Sequence, residues 1–184
     1  AEHGTTPAGL FESCGALERP RRFTAVHATH LVDADFRRLA DQTVCACPTT
    51  EADLGDGILD APRLADAGTN LALGSDSNAV IDLVQEARLL EMDDRLARGE
   101  RSRLADAQGR LGPPLARAAT RGGALSLGAD GSRLTVGDSF DAAVVDLDHP
   151  FFDHVPPEHA LDALLTAGTS AVIRQVVVGG QEML

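Results

Sequence analysis

The stretch that decides the fold is VHATHL, residues 26–31, and its counterpart further along the chain is LGSDSN, residues 73–78. Each follows a short apolar run, so each places a polar side chain where a buried strand ends and a loop begins. His27 and Asp76 lie 49 residues apart, which suits strands n and n+2 of a (β/α)8 barrel, where ~250 residues make eight units. The spacing therefore predicts one further strand between them, at 43–47.

Working outward from these anchors, strand and helix signals alternate over the first two thirds of the chain. The predicted strands are 23–26, 43–47 and 70–73. The predicted helices, read from apolar residues at helical spacing and from capping residues, are 8–17, 33–40, 62–67, 81–97 and 113–127. Residues 48–57 are predicted to form an irregular loop, because they are polar and rich in glycine.

After Gly128 the pattern changes to short runs that read as antiparallel strands with turns. These predicted strands are 133–137, 141–147 and 174–181, and a helix at about 157–167 separates the last two. We therefore predict two units: residues 1–127 form part of a barrel, and residues 128–184 supply segments of a small β-domain.

The composition is that of a folded protein with a strongly acidic surface. The 184 residues are 43% hydrophobic, and 16 basic residues against 28 acidic ones give a formal charge of −12. Such a charge disfavours nucleic acid and anionic membranes as partners. No apolar stretch approaches the ~20 residues that a membrane-spanning helix needs.

The three cysteines, Cys14, Cys45 and Cys47, cannot all pair with one another. Two of them lie in a predicted apolar strand, which favours a reducing cytoplasm over a disulfide scaffold. Cys45 and Cys47 are expected on the same strand face. A metal site at Cys-x-Cys is an alternative, but buried cysteines that pack as small hydrophobic side chains are the preferred interpretation.

Several motifs resemble one known superfamily. They are the histidine at the end of strand 23–26, GSDS at 74–77, and the tail that runs from AATRGGALSLG at 118–128 through LTVG at 134–137 to the segment 141–146. This set is similar to the C-terminal part of the amidohydrolase superfamily, whose members are metal-dependent deaminases and hydrolases. The resemblance covers nearly the whole chain.

The resemblance implies an α/β fold, namely the C-terminal portion (about strands 6–8) of a metal-dependent (β/α)8 barrel plus part of a small β-sandwich domain. His27 matches the histidine that ends the sixth strand of the family, and Asp76 matches the aspartate that ends the eighth. The family binds a divalent metal, with zinc expected here. The other metal ligands of the family come from the first and fifth strands, and are therefore expected outside this chain.

Within the superfamily, CPTTEADLGDG at 47–57 makes the chain resemble the formimidoylglutamate deiminases of histidine degradation. The implied activity is hydrolysis of a non-peptide C–N bond, converting N-formimidoyl-L-glutamate into N-formyl-L-glutamate and ammonia. Two alternatives remain. One is another aminohydrolase, of the guanine deaminase or imidazolonepropionase type, and the other is a non-catalytic partial barrel that packs against a partner.

Candidate site residues follow from the same motifs. Asp76 is the expected metal ligand and general base, although an aspartate after a Gly-Ser turn also caps helices well. His27 is the expected catalytic histidine that contacts the reacting group, the alternative being a histidine satisfied within the core. Ser77 and Asn78 are expected at the substrate, though a helix start also needs polar residues. Glu51 either contacts an amide of the substrate or orders the loop.

The expected partner is a small-molecule substrate, and the full-length protein is expected to be capable of forming a homodimer. The 184 residues alone are expected to be inactive, because most of the implied metal ligands lie outside them.

Overall fold

The structure, a computed structural model, describes residues 4–20, 23–129 and 133–183. The strands are β1 (Thr24–Val26), β2 (Thr43–Ala46), β3 (Asn70–Leu73), β4 (Ala142–Val145), β5 (Ile173–Val178) and β6 (Gln181–Glu182). The α-helices are α1 (Pro7–Ser13), α2 (Asp33–Arg38), α3 (Pro48–Leu54), α4 (Ala61–Asp66), α5 (Leu83–Arg98), α6 (Gly112–Arg117), α7 (Gly123–Ser126) and α8 (Ala160–Ala167).

The first three strands form a parallel sheet in the order β1-β2-β3. Val26 is paired with Cys45, and Ala46 with Leu73, so the three strands end close to one level. Helix α2 connects β1 to β2, and α3 and α4 connect β2 to β3. This is the alternation that the sequence predicted, and it gathers the three strand-to-loop junctions at one edge of the sheet.

The core lies between this sheet and its helices. Val44 and Ala46 of β2 are buried and share one apolar cluster with Leu39 and Leu64. Because successive side chains of a strand point to opposite faces, Cys45 lies on the other face of the sheet. The helices therefore cover one face, and the other face is the one that a closed barrel would turn inward.

Helix α5, predicted at 81–97, lies within two residues of the predicted bounds at both ends. Asp82 caps the helix by accepting hydrogen bonds from the backbone N–H groups of Val84 and Gln85. Gly99, with φ 69°, ends the helix in the left-handed conformation. Both signals are local, so the sequence contains them.

The predicted helix 113–127 is present with one irregularity. Helices α6 and α7 are joined by a π-helical turn, Ala118–Gly122. Gly122 packs so closely on β3 that a Cβ built on it would lie 1.9 Å from the carbonyl oxygen of Leu71. Only glycine fits at this contact.

The prediction of an irregular loop at 48–57 was wrong for residues 48–54, which form helix α3, and correct for residues 55–57. Pro48 occupies the first turn, where a missing N–H costs nothing. Glu51 accepts a hydrogen bond from the backbone N–H of Cys47, and Gly55, with φ 68°, ends the helix. Three of the polar residues that suggested a loop, Thr49, Thr50 and Glu51, are buried and hydrogen-bonded instead.

The predicted strand 133–137 was also wrong, since this segment is a turn. The Thr135 hydroxyl donates to Asp138 over 2.8 Å, and Gly137 adopts φ 99°. Val136 is fully exposed, and within residues 4–20, 23–129 and 133–183 no strand pairs with this segment. Tertiary pairing, and not propensity, decides such short strands.

Strands β4, β5 and β6 form a separate antiparallel sheet, in which Ala142 is paired with Val177 and Val178 with Gln181. The predicted strand 174–181 is divided by a turn at 179–180. The predicted helix 157–167 begins as a 3₁₀ turn and continues as α8.

Within the described residues, β4, β5 and β6 form the one antiparallel sheet. A second antiparallel sheet that would face it in a sandwich is not found in these residues. The sandwich and the domain bounds 1–127 and 128–184 stay predictions. Within the same described ranges, none of the helices combines the length and the apolar composition that a bilayer span requires.

Candidate active site

His27 leaves β1 through an unusual backbone. Its N–H still donates to the carbonyl of Cys45 over 2.9 Å, which continues the parallel ladder by one bond. His27 and Ala28 then adopt φ values of 67° and 54°. A left-handed conformation costs a residue other than glycine roughly 1–3 kcal/mol and concentrates at functional sites. The two residues turn the chain sharply and leave the imidazole half-buried at the edge of the sheet.

Asp76 leaves β3 in a similar way. The N–H of Gly74 donates to Ala46 over 3.0 Å, and the chain then turns at Asp76, which has φ 48°. The Asp76 side chain is 43% exposed, and its Oδ2 lies 3.5 Å from Nε2 of His27. The two residues predicted to be catalytic are therefore neighbours, although 49 residues separate them in the chain.

Glu51 contacts the opposite side of the His27 ring. Its Oε1 lies 3.2 Å from Nδ1 of His27 and accepts the N–H of Cys47 over 2.8 Å. Only 4% of Glu51 is exposed. Burial raises the pKa of its carboxyl group above the ordinary value, although the hydrogen bonds from Cys47 and His27 act in the other direction. His27 thus lies between two carboxylates, one buried and one open to solvent.

The sequence had offered Glu51 as a substrate contact or a loop-ordering residue, and it missed the contact with His27. One local signal was available. Glu51 is the fourth residue of a helix that begins at Pro48, one position after the one from which a glutamate commonly reaches back to the N–H of the capping residue. That signal finds the bond to Cys47, but the bond to His27 spans 24 residues and leaves no local trace.

The two other predicted substrate residues lie in the loop after β3. Ser77 is exposed at the same edge of the sheet as Asp76. Asn78 donates to the Asp53 carboxylate over 2.8 Å and accepts the N–H of Val80 over 2.8 Å. The amide of Asn78 therefore holds the loop against α3, and its contact with substrate stays a prediction, as does that of Ser77.

A metal site requires a choice between two sets of residues. Within the described ranges, His27, Cys47 and Glu51 form a group whose potential ligand atoms lie within 4.8 Å of one another, and Asp76 is not part of it. One observation disfavours this group: Oε1 of Glu51 already takes part in two hydrogen bonds.

Asp76 fits a hard or borderline divalent cation better. Its carboxylate is exposed and projects from a strand end, and carboxylate oxygen is one of the ligands that zinc accepts. The role of Asp76 as a metal ligand stays a prediction.

A cleft of about 560 Å³ runs along β1 and reaches His27 and His30. Its walls are mainly apolar and include Phe11, Phe23 and Leu31, whereas Asp76 does not line it. The cleft follows the side of β1 that has no neighbouring strand among the described residues. His27 stands where this cleft meets the strand ends.

With this geometry established, comparison with known proteins assigns a family. The model of the amidohydrolase family matches residues 2–183. The chain belongs to the amidohydrolase family. The three parallel strands and their helices are consistent with the partial (β/α)8 barrel that the sequence predicted.

Individual relatives differ in the activity that they are named for. The chain is 37% identical over 164 residues to formimidoylglutamate deiminase of Pseudomonas aeruginosa, which covers 88% of this chain and 36% of that protein. It is 33% identical over 186 residues to a 5-methylthioadenosine/S-adenosylhomocysteine deaminase of Natronomonas pharaonis, covering 98% of this chain and 41% of that protein. The chain therefore spans about two fifths of the length of such relatives.

A solved structure extends the comparison. An adenosine deaminase from Xanthomonas campestris with bound zinc superposes with a TM-score of 0.84 at 28% identity, covering 98% of this amidohydrolase chain and 40% of that chain. The sheet and helices described above thus occur as one part of a larger zinc-containing structure.

Proposed function

We propose that this chain is the C-terminal part of a metal-dependent hydrolase that converts N-formimidoyl-L-glutamate and water into N-formyl-L-glutamate and ammonia. The reaction class is supported by the pairing of His27 and Asp76 at neighbouring strand ends, with Nε2 and Oδ2 3.5 Å apart. The substrate is supported by the similarity to formimidoylglutamate deiminase, which is 37% identical.

The chemistry requires water to add to the carbon of a C=N bond, after which the C–N bond to the leaving nitrogen breaks and ammonia departs. Asp76 supplies an exposed carboxylate that accepts a proton from the attacking water. His27 supplies Nε2, which faces the same space and forms a hydrogen bond to the reacting group. The proton that Asp76 takes from water passes to the leaving nitrogen, which departs as ammonia, and the former water oxygen becomes the carbonyl oxygen of the formyl group.

Asp76 would hold the metal together with ligands from outside this chain. A divalent ion such as zinc supplies Lewis acidity and lowers the pKa of water toward ~7. The free cysteines Cys14, Cys45 and Cys47 are consistent with a reducing cytoplasm as the location.

A deaminase acting on 5-methylthioadenosine or S-adenosylhomocysteine is the second candidate, because one such enzyme is 33% identical over 98% of the chain. Both reactions add water to a C=N carbon and release ammonia. The two reactions differ in the part of the substrate that does not react. We expect residues outside this chain to form part of the pocket for it. The reaction class therefore has stronger support than the substrate.

The test is ammonia release by the full-length protein, assayed in parallel with N-formimidoyl-L-glutamate, 5-methylthioadenosine, S-adenosylhomocysteine and guanine. We expect the highest kcat/KM with N-formimidoyl-L-glutamate. Faster turnover of a purine compound would replace the substrate and leave the reaction class intact. Loss of all turnover in zinc-loaded protein would favour the non-catalytic alternative.

A further inference from the structure

We propose that Glu51 is a positioning residue that holds His27 as its Nδ1–H tautomer and directs Nε2 toward the reacting group. This inference rests on the proposed function, in which His27 contacts the reacting group. It replaces the sequence-based expectation that Glu51 contacts substrate or orders a loop.

The first argument concerns which atom carries the proton. Oε1 of Glu51 accepts the backbone N–H of Cys47 over 2.8 Å, so this oxygen acts as an acceptor. The same Oε1 lies 3.2 Å from Nδ1 of His27. With Glu51 ionised, a hydrogen bond between these two atoms has its proton on Nδ1. In a neutral imidazole the other nitrogen, Nε2, then carries a lone pair.

The second argument concerns how firmly Glu51 itself is held. It lies in the first turn of α3, and the two residues before it are tied to other elements. Thr49 donates its backbone N–H to the buried carboxylate of Glu86 over 3.0 Å. Thr50 donates its hydroxyl to the carbonyl of Ser75 over 2.7 Å. The turn that carries Glu51 is thus anchored to α5 on one side and to the loop of Asp76 on the other.

The third argument concerns the space on the far side of the ring. Nε2 of His27 lies 3.5 Å from Oδ2 of Asp76, which is longer than a well-formed hydrogen bond. In the tautomer that Glu51 imposes, both atoms are acceptors. The 3.5 Å separation leaves no room for an atom between them, so a hydrogen-bond donor reaches Nε2 only from the side of the ring that is open to solvent. A water molecule or a substrate N–H group that approaches from this side is such a donor.

The backbone of His27 makes an external anchor necessary. With φ 67° the residue lies outside the regular strand, and its ring is about one third exposed. Packing alone therefore does not determine which way the imidazole points. Among the described residues, Glu51 is the hydrogen-bond partner of Nδ1, and it comes from the strand-to-helix junction next to that of His27.

The experiment measures the tautomer of His27 directly, by ¹⁵N NMR of the full-length protein with labelled histidine. The His27→Gln variant identifies the signals of His27. We expect the wild type to show mainly Nδ1–H. Glu51→Gln keeps an acceptor oxygen and should retain this tautomer, whereas Glu51→Ala should shift the population toward Nε2–H.

Glu86→Gln is the matched control, because it also alters a buried carboxylate bonded to the first turn of α3 but does not contact His27. In this variant, the tautomer population of His27 should equal that of the wild type. A wild type that is mainly Nε2–H would overturn the proposal. So would a Glu51→Ala variant with the wild-type population, or a Glu86→Gln variant that shifts as far as Glu51→Ala. The wild-type and Glu51→Gln spectra decide the matter even where Glu51→Ala does not fold.

Kinetics provide an independent readout. Glu51→Ala should lower kcat by about 10–100-fold, the range typical of residues that orient a catalytic ligand or base, with a much smaller change in KM. Glu51→Gln should recover most of that loss. Unchanged kcat in Glu51→Ala would contradict a positioning role. A wild type without deiminase activity would instead refute the proposed function, since the tautomer measurement does not depend on turnover.

Discussion

His27 and Asp76 reach each other because each leaves its strand through a residue with positive φ, 67° and 48° respectively. Neither residue is a glycine, so the fold bears the cost of this conformation at both positions. The strain directs two polar side chains into the same space instead of along their strands. Two variants separate the roles that we assign to them.

Asp76→Asn is expected to lower kcat of the full-length enzyme at least ~10³-fold, on the scale of general-base and metal contributions. An amide neither accepts a proton from water nor offsets the charge of a divalent ion. The measurements are kcat and bound zinc in the purified variant. Retention of more than a tenth of the wild-type rate would show that Asp76 has another role.

His27→Ala is expected to lose activity but to keep most of its zinc, because the ring contacts the reacting group and not the ion. Zinc content by elemental analysis, measured beside Asp76→Asn, provides the comparison. Equal loss of zinc in both variants would make His27 a metal ligand and refute this division of roles.

Glu86 allows a test of pH dependence, since it is fully buried and burial raises the pKa of its carboxyl group above its ordinary value of 4.5. The folded state then binds the proton more tightly than the unfolded state does. The contribution of Glu86 to stability is therefore complete below pH 4.5 and decreases as pH rises through the raised pKa.

Glu86→Gln removes this titration while keeping an oxygen that accepts hydrogen bonds from Thr49. The difference in Tm, variant minus wild type, should therefore become more positive as pH rises from about 4.5. Thermal melts of the full-length protein between pH 4 and 8 measure it. A difference that is constant over this range, or that falls with pH, would contradict the assignment.

At the scale of elements, the segment from α6 to α7 packs closely on strand β3 through Gly122. A Cβ on Gly122 would meet the backbone of Leu71 at 1.9 Å, and backbone atoms cannot move aside as a side chain does. Gly122→Ala is expected to destabilise the protein by about 1–3 kcal/mol through overpacking.

Gly123 is the matched control, because a Cβ there meets no atom within 4 Å. Gly123→Ala is expected to stabilise the helix by about 0.5–1 kcal/mol, since alanine loses less backbone freedom than glycine. Urea unfolding of both variants gives the two changes. The same sign in both would mean that helix propensity, and not contact with β3, governs this segment.

At the scale of the whole molecule, the parallel sheet has two free sides. Within the described residues, β1 and β3 each pair with β2 alone, and an apolar cleft follows the outer side of β1. Unpaired strand edges next to apolar surface promote aggregation. In a complete barrel both edges would be paired.

The 184 residues produced alone are therefore expected to aggregate, to bind zinc more weakly than at micromolar affinity and to release no ammonia from N-formimidoyl-L-glutamate. Size-exclusion chromatography, zinc titration and the ammonia assay test these three outcomes. A monomer that melts cooperatively, binds one zinc tightly and turns over substrate would show that the metal ligands have been misplaced.

The sequence by itself determined the alternation of strand and helix and the positions of the strand ends. Strand 70–73 and the start and end of α5 depend on signals within a few residues, namely apolar periodicity, an aspartate cap and a terminal glycine. For the same reason the sequence placed His27 and Asp76 directly after their strands. Their catalytic roles stay predictions.

Only the tertiary structure decided which polar groups are buried and with what partners. Glu51 lies in a helix and not in the predicted loop. Its hydrogen-bond partner His27 is 24 residues away in the chain. Residues 133–137 have a strand pattern but form a turn, and no strand of the part of the chain that the structure describes pairs with them. Gly122 is required by the carbonyl of Leu71. Local patterns report periodicity and caps, whereas hydrogen bonds and close contacts between distant residues exist only once the chain has folded.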